Sequence, residues 1–236
     1  MSNPLGSTQG YVASQAESAR VAGFLQKVYG WMFAGLAITA AVAWLVAGSP
    51  AVVQTLAANR LLFWVVLLAP LGFVWYLSAK VDTIAPNTAA LVFSTYAALN
   101  GVTFAFVLLA YTGASIASTF LTAAAMFGAL AVYGSITKRS LAGIGQFAFM
   151  GLIGVIIASI IGIFWQNNMF QFVLSVCGVL VFTALTAWDA QKLRSMALAM
   201  PEGRAGSYAV VGALALYLDF INLFLFLLRL FGQRRD

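Results

Sequence analysis

At 236 residues, 63% hydrophobic and only 8% charged, the chain lacks the roughly 25% of charged residues with which a soluble domain covers its surface. Its twelve Lys/Arg and six Asp/Glu give a net charge of +6, but the basic residues sit singly between apolar runs; that placement fits loops beside anionic headgroups and excludes a nucleic-acid footprint. Histidine is absent and Cys177 is the only cysteine, which removes Ser–His and Cys–His catalysis, His-ligated haem, the usual zinc sites and any internal disulfide.

The first 27 residues are the longest polar stretch, from Ser2 and Asn3 through Gln9 and Gln15 to Lys27. The apolar run behind them begins too late for a signal peptide, and no small-residue cleavage site precedes it. Two readings of this tail stand: a short interfacial helix from about Ala13, or a disordered segment. Seven apolar runs follow, Val28–Gly48, Leu61–Ala79, Thr88–Ala110, Ser115–Tyr133, Gly143–Phe164, Phe170–Trp188 and Ser207–Phe231. Each is close to the ~20 residues that cross a bilayer as a helix. Between them, Gly48-Ser49-Pro50, Pro86-Asn87, Tyr111-Thr112-Gly113 and Gln166-Asn167-Asn168 carry turn and cap chemistry. Pro70 falls inside the second run and predicts a kink. Frequent Gly, Ala, Ser and Thr allow close helix approach. The sequence therefore predicts an all-α integral membrane protein: a polar tail over 1–27, a seven-helix domain over 28–232, and a short tail over 233–236.

Orientation follows the placement of Lys and Arg. With a cytoplasmic amino terminus, the inner segments hold Arg20, Lys27, Lys80, Lys138, Arg139, Lys192, Arg194 and Arg204, and the outer loops hold Arg60 alone. This predicts the amino terminus inside. Seven full spans would put Arg229, Arg234 and Arg235 outside. Either the last helix enters without crossing, or it crosses and the earlier loops dictate orientation.

Two acidic residues carry the candidate chemistry. Asp219 lies near the middle of the last run, with Asn222 one turn further on the same face. A charge at that depth costs ~2.5–3.5 kcal/mol on insertion scales, and such groups mark ion or proton paths. The plain alternative is a protonated carboxyl tying helices together. Asp189 stands at the inner end of the sixth run, beside Lys192 and Arg194. It is either a solvated juxtamembrane charge or, if the helix continues through Ala190–Met200, a core-facing one whose basic neighbours snorkel away. Lys80 and Asp82, at the inner end of the second run, read as headgroup contacts, with Lys80 a candidate partner for the aspartates. Asn100-Gly101 reads first as a packing position.

The segment Ala215-Leu216-Tyr217-Leu218-Asp219-Phe220-Ile221-Asn222-Leu223-Phe224-Leu225, followed by Leu227-Leu228-Arg229, resembles the closing signature of the Bax inhibitor family. Ala187-Trp188-Asp189-Ala190-Gln191-Lys192-Leu193 is similar to that family's penultimate-helix motif, and Tyr133-Gly134 with Thr137-Lys138 to its fourth-helix exit. The resemblance covers about Lys27 to Gly232. It implies six helices around a central last helix, a bacterial inner-membrane location, and a pH-sensitive calcium leak in which Asp189 and Asp219 form the sensor and gate. Where the family places a basic partner at the inner end of the second helix, Ser78-Ala79-Lys80 supplies only Lys80.

Elementary electrostatics agrees with that expectation. Two carboxylates sharing a poorly solvated core cannot both ionise cheaply, so their titration couples the site to acidity near neutral pH. When both ionise they offer hard oxygens to Ca²⁺, a permeating or weakly bound ion and not a resident cofactor; two aspartates need Asn222, backbone carbonyls or water to complete a coordination shell. The competing expectation is a non-channel regulator that binds a membrane protease or another integral partner. An intramembrane aspartyl protease is disfavoured, because neither a Gly-x-Gly-Asp motif nor a Tyr-Asp pair surrounds the two aspartates, and no enzyme activity is expected.

Overall fold

The computed structural model describes the backbone of residues 4–235 apart from 166 and 202, and side chains from residue 15 onward apart from those two. Of the expected tails, residues 1–3 and 236 lie outside the described residues. Eight helices fill the described chain: α1 (Pro4–Ala47), α2 (Pro50–Ala58), α3 (Arg60–Ala79), α4 (Pro86–Ala110), α5 (Gly113–Ile136), α6 (Ala142–Phe164), α7 (Asn168–Ala199) and α8 (Ala205–Phe231). All but α2 are long and apolar enough to cross a membrane.

Each apolar run became a helix, with ends displaced where local chemistry outweighed hydropathy. α1 runs unbroken from Pro4, so the tail is continuous with the first span; Phe24 and Val28 are already buried. Pro50 starts α2 behind an extended Ser49, a nine-residue helix that the turn signal Gly48-Ser49-Pro50 had hidden. Asn59 then caps α3, its side chain accepting from Leu62 N at 3.0 Å. α3 continues through Pro70. The sixth run does not stop at Trp188: α7 continues to Ala199, burying Ala190, Leu193 and Ala197. The connection after it shortens accordingly to residues 200–204.

Turns and termini gather at two ends of the bundle. At one end, Ser207 Oγ donates to Ile84 O (2.8 Å), Arg20 donates to Met200 O (2.8 Å), and Tyr208 donates its hydroxyl proton to Asp82. There too Gln191 clamps the α5–α6 turn, accepting from Leu141 N and donating to Arg139 O, both at 2.8 Å. At the other end, Thr112 N donates to Gln233 O (3.0 Å) and Arg235 N to Ala110 O (3.0 Å), pairing the residues after α8 with the α4–α5 turn. α8 therefore runs the full length of the bundle, parallel to α4. Arg229, Arg234 and Arg235 lie at the end opposite Lys138 and Arg139.

α8 is the central helix. It packs on α7, α1, α5 and α4, and lightly on α3, while α6 packs on α7 at the periphery. Its burial is 72% over the apolar window, against 11–33% for the six other spans. α4 and α5 are joined by only Tyr111 and Thr112, yet α8 fills the space between them. Small residues permit this closeness. A Cβ on Gly134 would strike the Ala187 backbone, and one on Gly101 would meet Val42 Cβ at 2.7 Å and Thr39 O at 2.8 Å. Asn100-Gly101 is thus a packing position, although Asn100 has a second property described below.

Candidate functional site: a buried aspartate pair

Asp219 occupies the middle of α8 and is 4% exposed. Its Oδ2 has no hydrogen-bond partner among the described residues. Two contacts fix how α7 passes it: Leu193 packs where a Cβ on Gly212 would lie, and Phe226 where one on Gly178 would lie. In that antiparallel register Asp189 falls about one helical turn from the level of Asp219. The two carboxyls are near enough to repel each other. The structure thus brings together the two residues singled out in the sequence.

Their surroundings differ. Asp189 opens onto a cavity of about 260 Å³ between α3, α7 and α8, lined also by Ser78, Lys192, Leu193 and Leu218. Lys192 lies over the Trp188 ring, 5.3 Å from its centroid, close enough to attract Asp189. Asp219 does not line this cavity. Beyond it lies a seam of phenylalanines. Phe220 packs edge-on against Phe120 (5.4 Å) and Phe127 (5.6 Å), and Phe224 against Phe120 (6.2 Å) and, stacked, Phe104 (6.2 Å). These rings close the space between α4, α5 and α8.

Three buried polar atoms lack partners among the described residues: Asp219 Oδ2, Asn100 Nδ2 on α4 and Thr183 Oγ1 on α7. Gly206 packs against Pro86, so the parallel register of α4 and α8 sets Asn100 near the level of Phe220. The α7 register sets Thr183 near Ile221 and Asn222. One layer of the core therefore carries three unsatisfied groups, each of which costs about 1–3 kcal/mol if left dry.

A hydrogen-bonded cluster borders that layer. The Tyr217 and Thr39 hydroxyls are 2.7 Å apart, and Thr39 also reaches Ala97 O (2.9 Å) and Gly35 O (3.0 Å). Thr39 has one proton for those carbonyls, so Tyr217 donates to Thr39. Tyr217 further packs edge-on to Tyr96 (5.5 Å) and Phe93 (5.8 Å). This cluster joins α1, α4 and α8. Sequence reasoning missed it: Thr39 lies unmarked in an apolar run, and only the Tyr in Tyr217-Leu218-Asp219 hinted at it.

The supporting residues are placed differently. Asn222 is half-buried and donates its amide to Leu218 O of its own helix at 2.8 Å, leaving its carbonyl oxygen as the possible ligand atom. Lys80 is the exposed C-cap of α3, at the cavity's end of the bundle but outside its lining. Among the described residues no three His, Cys, Asp or Glu side chains converge on a metal-sized site. Protein carboxylates alone would hold a hard cation here only weakly.

A helical bundle of seven membrane-crossing lengths, with Asp219 buried on the central helix and half-buried Asp189 on its neighbour, defines a multi-pass membrane protein. Residues 21–236 match the family described as Inhibitor of apoptosis-promoting Bax1, and the chain belongs to this Bax inhibitor family. It is 43% identical over 215 residues to "Inner membrane protein YbhL" of Escherichia coli K12, covering 90% of this chain and 92% of that one. It is 39% identical over 235 residues to an uncharacterized protein of Caulobacter vibrioides, covering 95% and 94%. Over 215 residues it is also 39% identical to an uncharacterized protein of Borreliella burgdorferi, covering 90% and 93%.

Proposed function

We propose that the protein is a pH-sensitive leak pathway for calcium, with Asp189 and Asp219 as its proton sensor and ion-binding groups. The observation that carries this reading is the unpartnered oxygen of Asp219, buried beside a second carboxyl that a cavity connects toward one end of the bundle. An ionisable group is retained at such depth where it serves transport or proton relay. With one carboxyl protonated, the pair carries a single negative charge and its mutual repulsion is gone. With both ionised, it repels itself and attracts a divalent cation. The phenylalanine seam beyond Asp219 would be the barrier that such a change displaces. Thr183 would supply a neutral oxygen, and the Asn100 amide would donate to a bridging water, in the same layer.

We place the protein in a bacterial inner membrane with its amino terminus in the cytoplasm, following the name of the E. coli relative and the Lys/Arg excess at the α5–α6 and α7–α8 turns. In that orientation the Asp189 cavity opens toward the cytoplasm. No catalytic role is assigned to the aspartates. Reporters fused after Arg139 and at the carboxy terminus should behave as cytoplasmic and periplasmic, respectively; a periplasmic Arg139 fusion would reverse the orientation.

The functional test is flux in liposomes. Reconstituted protein should pass Ca²⁺ down its gradient, with a rate that changes with pH near neutrality. Asp219→Asn keeps shape and polarity but removes the titrating charge, and should flatten that pH response. Asp189→Asn should do the same, because the pair titrates as a unit. Lys138→Gln should leave the response intact. Flux equal to protein-free liposomes at every pH would end the leak reading and put the regulator of a membrane protease or other integral partner in its place.

A further inference from the structure

At the end of the bundle opposite the Asp189 cavity, a cleft of about 870 Å³ opens between the end of α6, the start of α7 and the end of α8. It exists because α6 packs on α7 and leaves α8 uncovered there. Its polar lining includes Arg229, Arg234, Asn167, Asn168, Gln171 and Ser175. Two of the amides are already engaged: Asn167 caps α7 by accepting from Phe170 N (3.0 Å), and Gln171 ties α7 to α6 by donating to Gly162 O (3.2 Å). Each arginine lies over an aromatic ring. The Arg229 guanidinium lies over the Phe226 ring at 5.4 Å and that of Arg234 over Tyr111 at 6.0 Å. A cation–π contact satisfies the charge of a guanidinium only in part, and its five N–H donors remain suited to an oxyanion.

Among the described residues no acidic group answers them. Glu17, Asp82, Asp189 and Asp219 are all absent from the lining of this cleft, while Glu202, like Asp236, lies outside the described residues. The other rim is apolar: Ile160, Ile163 and Phe172 are each more than half exposed. A cation pair beside a lipid-facing apolar flank matches one chemistry, a phosphate carried on acyl chains.

We infer that this cleft binds the phosphate of an anionic phospholipid headgroup, with Arg229 and Arg234 as the bidentate donors and Ile160, Ile163 and Phe172 against the acyl chain. The site is separate from the aspartate pair, and its existence does not depend on calcium flux. It also gives the bundle a use for arginines at the end where loop charge is otherwise sparse.

The test is native mass spectrometry of the full chain released from neutral detergent micelles doped with phosphatidylglycerol or phosphatidylcholine. The unaltered protein should retain phosphatidylglycerol in preference to phosphatidylcholine, and R229Q/R234Q should retain it about tenfold less, the loss of two charge-assisted contacts at about threefold each. K138Q/R139Q, at the opposite end, should match the unaltered chain. Should R229Q/R234Q fail to fold, R234Q alone, beyond the end of α8, should still lower retention by about threefold. Equal retention by the unaltered and arginine-substituted chains would overturn the proposal. So would displacement of the bound lipid by millimolar inorganic phosphate, which would assign the site to a soluble anion.

Discussion

α6 and α8 are alike as sequences and opposite as structures. Both are long apolar helices, and α6 is the more apolar of the two; yet 17% of its window is buried and 72% of that of α8. α6 presents Ile153, Ile156, Ile157 and Ile160 to lipid, whereas α8 buries Leu214, Leu216, Tyr217 and Leu223. Hydropathy cannot distinguish the two, because lipid tails and a protein core are equally apolar solvents. What distinguishes them is polarity within the run. Tyr217, Asp219 and Asn222 cannot face acyl chains without loss, and α6 carries nothing comparable beyond Ser159 and Gln146. The centre of a membrane bundle is therefore marked by its polar residues and not by its most hydrophobic ones.

The contrast can be broken by paired substitutions, measured as thermal or denaturant unfolding in detergent. The largest difference is expected from side-chain truncation. Leu216→Ala in α8 should cost about 2–5 kcal/mol because the fully buried site cannot refill. Ile157→Ala in α6, where lipid fills the gap, should cost less than about 0.5 kcal/mol. Equal losses would mean that α8 is not the core. Overpacking comes next. Gly178→Val would drive a methyl into the Phe226 ring of α8 and should destabilise by about 1–3 kcal/mol. Gly154→Val on α6 meets open space and should be close to silent. The smallest effect sharpens the polar side of the comparison. Tyr217→Phe removes the donor to Thr39 and should cost about 1 kcal/mol while preserving ring packing; an unchanged midpoint would show that this bond does not fasten α8 to α1.

Much of the fold is legible in the chain because apolar length is a direct measure of bilayer thickness. The runs beginning at Leu61, Thr88, Ser115 and Gly143 became α3 to α6 with ends shifted by a few residues. The larger differences arise where helix outlasts hydropathy. α7 passes Trp188 to Ala199 because Ala190, Leu193 and Ala197 still face the bundle while Lys192 and Arg194 keep their charges exposed, Arg194 donating to Ser135 O of α5. The same reasoning had identified Asp189 as core-facing only if that continuation occurred. Asp219 was conspicuous as a charge in an apolar run. Its partners in the layer, Asn100 and Thr183, were obscured by the ordinary use of Asn and Thr at helix contacts. The phenylalanine seam had no signal, since Phe104, Phe120 and Phe224 look the same whether they face lipid or each other. Such contacts are set by helix rotation, which sequence periodicity encodes poorly when every face is apolar.

The position of α8 also sets a timetable. The helix at the centre follows the other six spans in the chain, so they are made before the surface on which they converge exists. α4 and α5 cannot close their gap alone, and α7 must hold Asp189 with no aspartate opposite it. During synthesis the bundle is an open cup with a polar floor, which the insertion machinery must shield until Ala205–Phe231 is released. Translation order thus makes emergence of α8, and not addition of successive hairpins, the event that commits this bundle to its folded state.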